Sequence, residues 1–173
     1  FMSNNLLKKY DAIEQIKAHF LKKVEGFSDE QLNTIPVNNG WSAAQVLYHC
    51  AFVEDGVIVT IQKNLAENKV YIQKDFKSIL RSVFLDLALK SPLKFKAPKV
   101  VSKVPNQVSL VELKKFNEAN SIKFLQILHE LPAELEDKYI FKHPISGLFT
   151  IHQTLDFLYK HFVHHERQLD ALL

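Results

Sequence analysis

One short pattern recurs four times in this chain. A hydroxyl residue is followed three places later by an amide or a carboxyl: Ser28-Asp-Glu-Gln31, Ser42-Ala-Ala-Gln45, Ser109-Leu-Val-Glu112 and Thr150-Ile-His-Gln153. Each has the form of a capping box, in which the two side chains satisfy backbone N–H groups left free at the start of a helix. The pattern therefore marks where helices begin. The first box can open only a short turn, because Pro36 and the Asn38-Asn39-Gly40 cluster follow quickly.

Apolar spacing fills in the rest. Leu6, Tyr10, Ile13, Ile16 or Lys17, Phe20 and Val24 recur at three and four residues, predicting helix one from near Asn4 to near Glu25, stopped by Gly26. The Ser42 box opens helix two, which runs to about Asn68, with Trp41 at the hydrophobic-staple position. Its inward stripe is Val46, His49, Cys50, Val53, Val57 and Ile61, and His49 is the polar exception in it. Helix three follows Ser109 to about Leu131, where Pro132 ends it; its stripe is Leu113, Phe116, Asn120, Ile122 or Lys123, Phe124, Ile127 or Leu128 and Leu131. A linker leads to Gly147, and helix four runs from the Thr150 box to the end.

Four amphipathic helices with no convincing strand predict an all-α four-helix bundle, residues 1–173 forming one domain. The connection between helices two and three is long enough to cross the bundle. Within it, Asp75 to Leu89 reads as helical or partly helical. Pro92, Pro98 and Pro105 then punctuate an extended stretch carrying Lys90, Lys94, Lys96, Lys99 and Lys103 around Phe95. Lysines with an interleaved aromatic can bind phosphates, but a solvated crossover is the favoured reading.

Charge and cysteine content narrow the function classes. A net charge of +3 gives no large field for nucleic acid or a membrane surface, so neither is expected as a partner. No run of about 18 apolar residues is present, and no signal peptide is expected. The one cysteine, Cys50, cannot form an internal disulfide, which fits a reducing cytoplasm.

Chemistry concentrates in the histidines. His161 and His165 stand four apart, on one helical face, flanked by Phe157, Leu158, Phe162 and Leu169. In a bundle, ligands project inward from facing helices, so His49 is the candidate third member. Three neutral imidazoles suit Zn²⁺, Ni²⁺ or Fe²⁺ and leave a coordination position open for water or a substrate thiol. The alternative is that the histidines are hydrogen-bonded core residues. His164 lies about 100° off the ligand face.

Two stretches resemble the DinB/YfiT-like superfamily of four-helix-bundle proteins: Trp41-Ser42-x-x-Gln45-x-x-x-His49, and His143-Pro144-x-x-Gly147-x-x-Thr150 continuing to His161-x-x-x-His165-x-x-Gln168. The Pro98 to Pro105 segment also looks familiar for the YfiT-like branch. The resemblance implies a divalent metal, zinc or nickel, held by His49, His161 and His165 near one end of the bundle. It further implies a homodimer and a small-molecule substrate. Members include transferases that use a low-molecular-weight thiol, a thiol-dependent isomerase and proteins described as metal-dependent hydrolases. Many relatives carry arginine before the last ligand, where this chain has His164; an arginine role in binding an anionic cofactor is therefore not carried over.

The remaining candidates are read as follows. Cys50 is a small buried apolar residue, not a nucleophile. Glu54 and Asp55 are exposed in preference to entering the cleft as bases, and Glu166 faces solvent. Tyr48 and Tyr159 are as readily packing residues as pocket walls. His143 anchors its loop in preference to contacting substrate. His19, His129 and His152 are surface residues. Trp41 staples the helix start and, at a bundle end, could also wall the cleft. The expected function is metal-dependent thiol transfer to a small electrophile. Metal-assisted hydrolysis is the alternative, and a non-catalytic helical binding or dimerisation module is the rival from another class.

Overall fold

All four capping boxes close in the computed structural model, which describes residues 2–69, 103–144 and 146–173. At Ser42, the hydroxyl accepts from the Gln45 backbone N–H at 3.2 Å, and Gln45 Oε1 accepts from the Ser42 N–H at 3.0 Å. The helices among the described residues are α1 (Asn4–Val24), α2 (Asp29–Leu32), α3 (Ala43–Ala66), α4 (Leu110–Glu130) and α5 (Ile151–Asp170). As the sequence predicts, α2 is a single turn. Helix α3 ends two residues before Asn68, which sits at φ 50° in the left-handed region that terminates helices.

Contacts between residues fix the helix directions. Lys9 meets Asp156, Phe20 packs edge-on to Phe162 and Lys23 meets Glu166, so α1 and α5 run parallel. Tyr10 and Lys17 reach Ser121 and Asn117, respectively, so α1 and α4 run antiparallel. Tyr48 packs on Phe116, Asn120 reaches Ala51, and Lys123 meets Asp55, so α3 and α4 run parallel. Around the bundle the neighbours run α1, α5, α3, α4 and back to α1, which leaves α1 and α3 facing across the interior. This is a four-helix bundle with one connection that must return the chain along its length. Helix α3 finishes at the end where α4 also finishes, so residues 67–109 have to climb roughly 36 Å, the rise of a 24-residue helix. The segment expected to be helical at Asp75 to Leu89, with Lys90, Lys94, Lys96 and Lys99, lies outside the described residues. Lys103 is exposed.

Two short strands, β1 (Phe141–His143) and β2 (Gly147–Phe149), pair antiparallel where the sequence predicts a plain linker. Three residues are too few for an alternating pattern to register. The hairpin is fixed from two sides. Asn64 of α3 donates to the Ile140 carbonyl at 2.8 Å, and the Ser146 N–H donates to His143 Nδ1 at 3.0 Å. Gly147 stands opposite His143 at φ 82°, a conformation that favours glycine. His143 is thus the loop anchor the sequence suggests, stacked on Phe149 with centroids 5.6 Å apart.

The core follows the predicted stripes of α1 and α5 closely; α3 and α4 depart from them. On α3, Val53 is only half-buried while Glu54 is fully buried, and Val46, Leu47, Ala51, Val57 and Ile58 are all inside. Flanked by both α4 and α5, this helix buries a wider arc than a single stripe. On α4, Asn117 points inward, Phe116 is half-buried and Ile122 is 63% exposed. Among the described helices, α3 has the length and hydropathy to cross a membrane, and most of it is buried against the bundle.

Two stability measurements check this account. Ser42→Ala removes a buried cap and should cost about 1–2 kcal/mol in denaturant unfolding. Burial lowers the His143 pKa to about 4, below the unfolded value near 6.5, so the unfolded chain binds the extra proton first. Its contribution is complete at neutral pH and is lost as pH falls below about 6.5 towards 4. Between pH 7 and pH 5 the wild type should lose about 2 kcal/mol more stability than His143→Gln.

Candidate metal centre

His49 lies in the second turn of α3, and His161 and His165 lie in the second half of α5. Because these helices are antiparallel neighbours, the three meet at one end of the bundle. The capped α3 start holds its neighbourhood in place: Gln45 Nε2 donates to the Pro105 carbonyl at 2.9 Å. Asn33, just after α2, exchanges two hydrogen bonds with the Val108 backbone, and Asp29 accepts from the Leu110 N–H. The loop before α4 is thereby tied to the same end.

All three histidines are buried, and one ring nitrogen from each lies within 4.8 Å of the others. His49 Nε2 and His161 Nε2 are 3.2 Å apart, and the ring centroids are 4.6–5.1 Å apart. Two nitrogens each about 2.0–2.1 Å from zinc and subtending a tetrahedral angle would lie roughly 3.3–3.4 Å apart. The spacing fits a shared ion. His165 Nδ1 faces Gln168 Oε1 at 2.9 Å. An amide oxygen only accepts, so Nδ1 carries the hydrogen and Nε2 keeps its lone pair for the cluster.

Burial disfavours protonation here. It lowers the His165 pKa to about 3, with the nearby imidazole of His49 adding to the effect. His161 is pushed well below its ordinary value by burial first and by His165 and His49 next. Neutral imidazole is the form that binds metals. Among the described residues, His161 Nδ1 is buried with no hydrogen-bond partner.

Aromatic rings close the surroundings. Trp41 lies 4.9 Å from His49, so it walls the cluster as well as preceding the cap. Phe157 lies 5.8 Å from His161 and 4.6 Å from His143, linking the hairpin to the site.

The other sequence candidates separate cleanly. His164 is half-buried and touches His165 edge-on at 5.1 Å, outside the three-nitrogen cluster. Cys50 is buried, and burial pushes its thiol far above the ordinary range, which fits a packing role. Tyr48 packs on Phe52 and Phe116, and Tyr159 is 42% exposed. Asp55 pairs with Lys123 outside the core. Three expectations change. Glu54 is not exposed but fully buried, paired with Lys17 of α1 at 3.0 Å, because α1 faces α3 across the interior. Glu166 does not simply face solvent but meets Lys23 at 2.9 Å and His19 at 3.1 Å, because α1 lies alongside. His152 is half-buried, 3.4 Å from Glu136. Sequence reasoning leaves Gln168 without a role, although its spacing of three from His165 on one helix could have given it one.

No curated protein matches the chain in sequence. Among solved structures, the fold is similar to that of YfiT from Bacillus subtilis, described as a probable metal-dependent hydrolase with an unusual four-helix bundle topology. The match has 20% identity and a TM-score of 0.59, and it covers 99% of this chain and 88% of that one. At this identity the likeness concerns the fold. The family model described as the DinB superfamily matches residues 12–169, and with the bundle and the histidine cluster in place, the chain belongs to the DinB superfamily.

Proposed function

We propose that His49, His161 and His165 hold a divalent ion, zinc or nickel, and that the protein is a metal-dependent enzyme acting on a small electrophilic molecule. The 3.2 Å approach of His49 Nε2 to His161 Nε2 carries this reading. Two buried lone pairs so close repel unless a proton or a cation lies between them.

The protein's own residues have distinct tasks. Burial keeps the α5 imidazoles neutral, Gln168 fixes the His165 tautomer, and Trp41 and Phe157 limit water at the cluster. When bound, a divalent ion supplies Lewis-acid activation of a nucleophile, lowering the pKa of a water or a thiol beside it. The chain's only cysteine is buried and packed, so a reacting thiol has to come from solution. Thiol transfer is the reaction we favour, on the superfamily resemblance. Hydrolysis is the second reading, supported by the description of the Bacillus subtilis structure.

Metal analysis of protein purified without an affinity tag should give about one divalent ion per chain, lost in His49→Ala and in His161→Ala. Free metal at 100 times Kd should stabilise the wild type by about 2.7 kcal/mol and leave both variants unmoved. Absence of metal, with both variants destabilised by loss of the buried imidazole, would establish the histidines as packing residues. For the reaction, the metal-loaded protein should consume a low-molecular-weight thiol in the presence of an alkylating electrophile. Turnover of ester or amide substrates with no thiol consumption would instead establish hydrolysis, and no metal-dependent turnover of either kind would remove both.

A further inference from the structure

A second polar cluster lies in the bundle interior, apart from the histidines. Lys17 of α1 is 4% exposed, and its Nζ contacts Glu14 Oε1 at 2.8 Å, Glu54 Oε1 at 3.0 Å and Ser121 Oγ at 2.7 Å. Asn120 of α4 donates to Glu54 Oε2 at 3.1 Å and to the Ala51 backbone carbonyl at 2.8 Å. Helices α1 and α4 thus converge on one turn of α3, the turn immediately after His49.

We propose that Lys17, Glu54 and Asn120 are positioning residues that set His49 against His161 and His165. The arrangement allows such a device to act beside the direct packing of α3 on α5. Helix α5 is placed mainly by α1, through Phe20 and Phe162 and the Lys23 pairs with Glu166 and Asp170. Helix α3 is not a ring neighbour of α1. The Lys17–Glu54 contact crosses the interior and refers α3 directly to the helix that places α5. Glu54 stands five residues after His49, roughly 140° around the helix. Those two side chains therefore pin α3 on different sides: a rotation that swings His49 away also pulls Glu54 off Lys17. Asn120 adds the axial constraint, because its hydrogen bond to a backbone carbonyl admits one register of α4 along α3.

A buried ion pair is weak grounds for stability, since well-packed apolar replacements of similar volume are often neutral or stabilising. That property separates positioning from folding. The metal meaning of the lock rests on the function proposed above, so the test carries a readout that does not need metal. The variant is Lys17→Met combined with Glu54→Leu, titrated with Co²⁺ alone and compared with the wild type and with His161→Ala. The expected result is a folded protein, melting at or above the wild type, that binds Co²⁺ at least tenfold more weakly. Glu54→Gln, whose one amide oxygen can accept from Lys17 or from Asn120 but not at both positions, should weaken Co²⁺ binding less than the double variant does. Where the double variant does not fold, Asn120→Leu leaves the ion pair in place and should show the same tenfold loss. Unchanged affinity in a folded double variant overturns the lock. Should the wild type bind no Co²⁺, the metal reading falls, and ring-proton NOEs between His49 and His161 in the metal-free protein decide the lock. Their loss in the variant supports it, and their retention overturns it.

Discussion

Asn120 reaches from α4 to both the backbone and a side chain of α3, and with the Tyr48–Phe116 and Asp55–Lys123 contacts it shows the two helices running in the same direction. Consecutive long helices usually turn back on each other through a short loop. Here the chain leaves α3 at one end of the bundle and re-enters α4 at the other. That constraint demands the long connection and brings the starts of α3 and α4 to one end. It also gathers Gln45, Pro105, Asn33 and Val108 there with the histidine cluster. The site end is consequently tied by hydrogen bonds among α2, the start of α3 and the loop before α4.

Burial has two opposite consequences in this molecule. At the histidines it disfavours the charged form, leaving neutral imidazoles packed together in an apolar setting. A site of that kind favours a cation over an empty interior. At Glu54, burial raises the carboxyl pKa while Lys17 and Asn120 hold it down, and both carboxylate oxygens have protein partners. The first cluster gathers three neutral imidazoles, a donor set suited to a divalent ion, whereas the second pairs a carboxylate with a lysine and an amide of the protein. This contrast is why one reads as a binding centre and the other as scaffolding for it.

Much of the candidate site was legible in the chain because helices are periodic. The i, i+4 spacing put His161 and His165 on one face and moved His164 off it, and the capping boxes located the starts of α2, α3, α4 and α5 to the residue. The hairpin was not legible, since strands of three residues show no alternation. Nor was the burial of Glu54. Local patterning treats a glutamate beside Asp55 as exposed, and only a lysine on another helix, 37 positions earlier, makes its burial tolerable.

The sequence by itself therefore determined that the described helices form, where each begins and the inward stripes of α1 and α5, because those properties depend on residues a few positions apart. Tertiary structure decided what no local spacing encodes. It set the parallel course of α3 and α4, the facing of α1 and α3 across the interior, and the 3.2 Å approach of His49 to His161 from 112 positions away. Those depend on which helices become neighbours, and neighbours are chosen by the joint packing of all the faces at once.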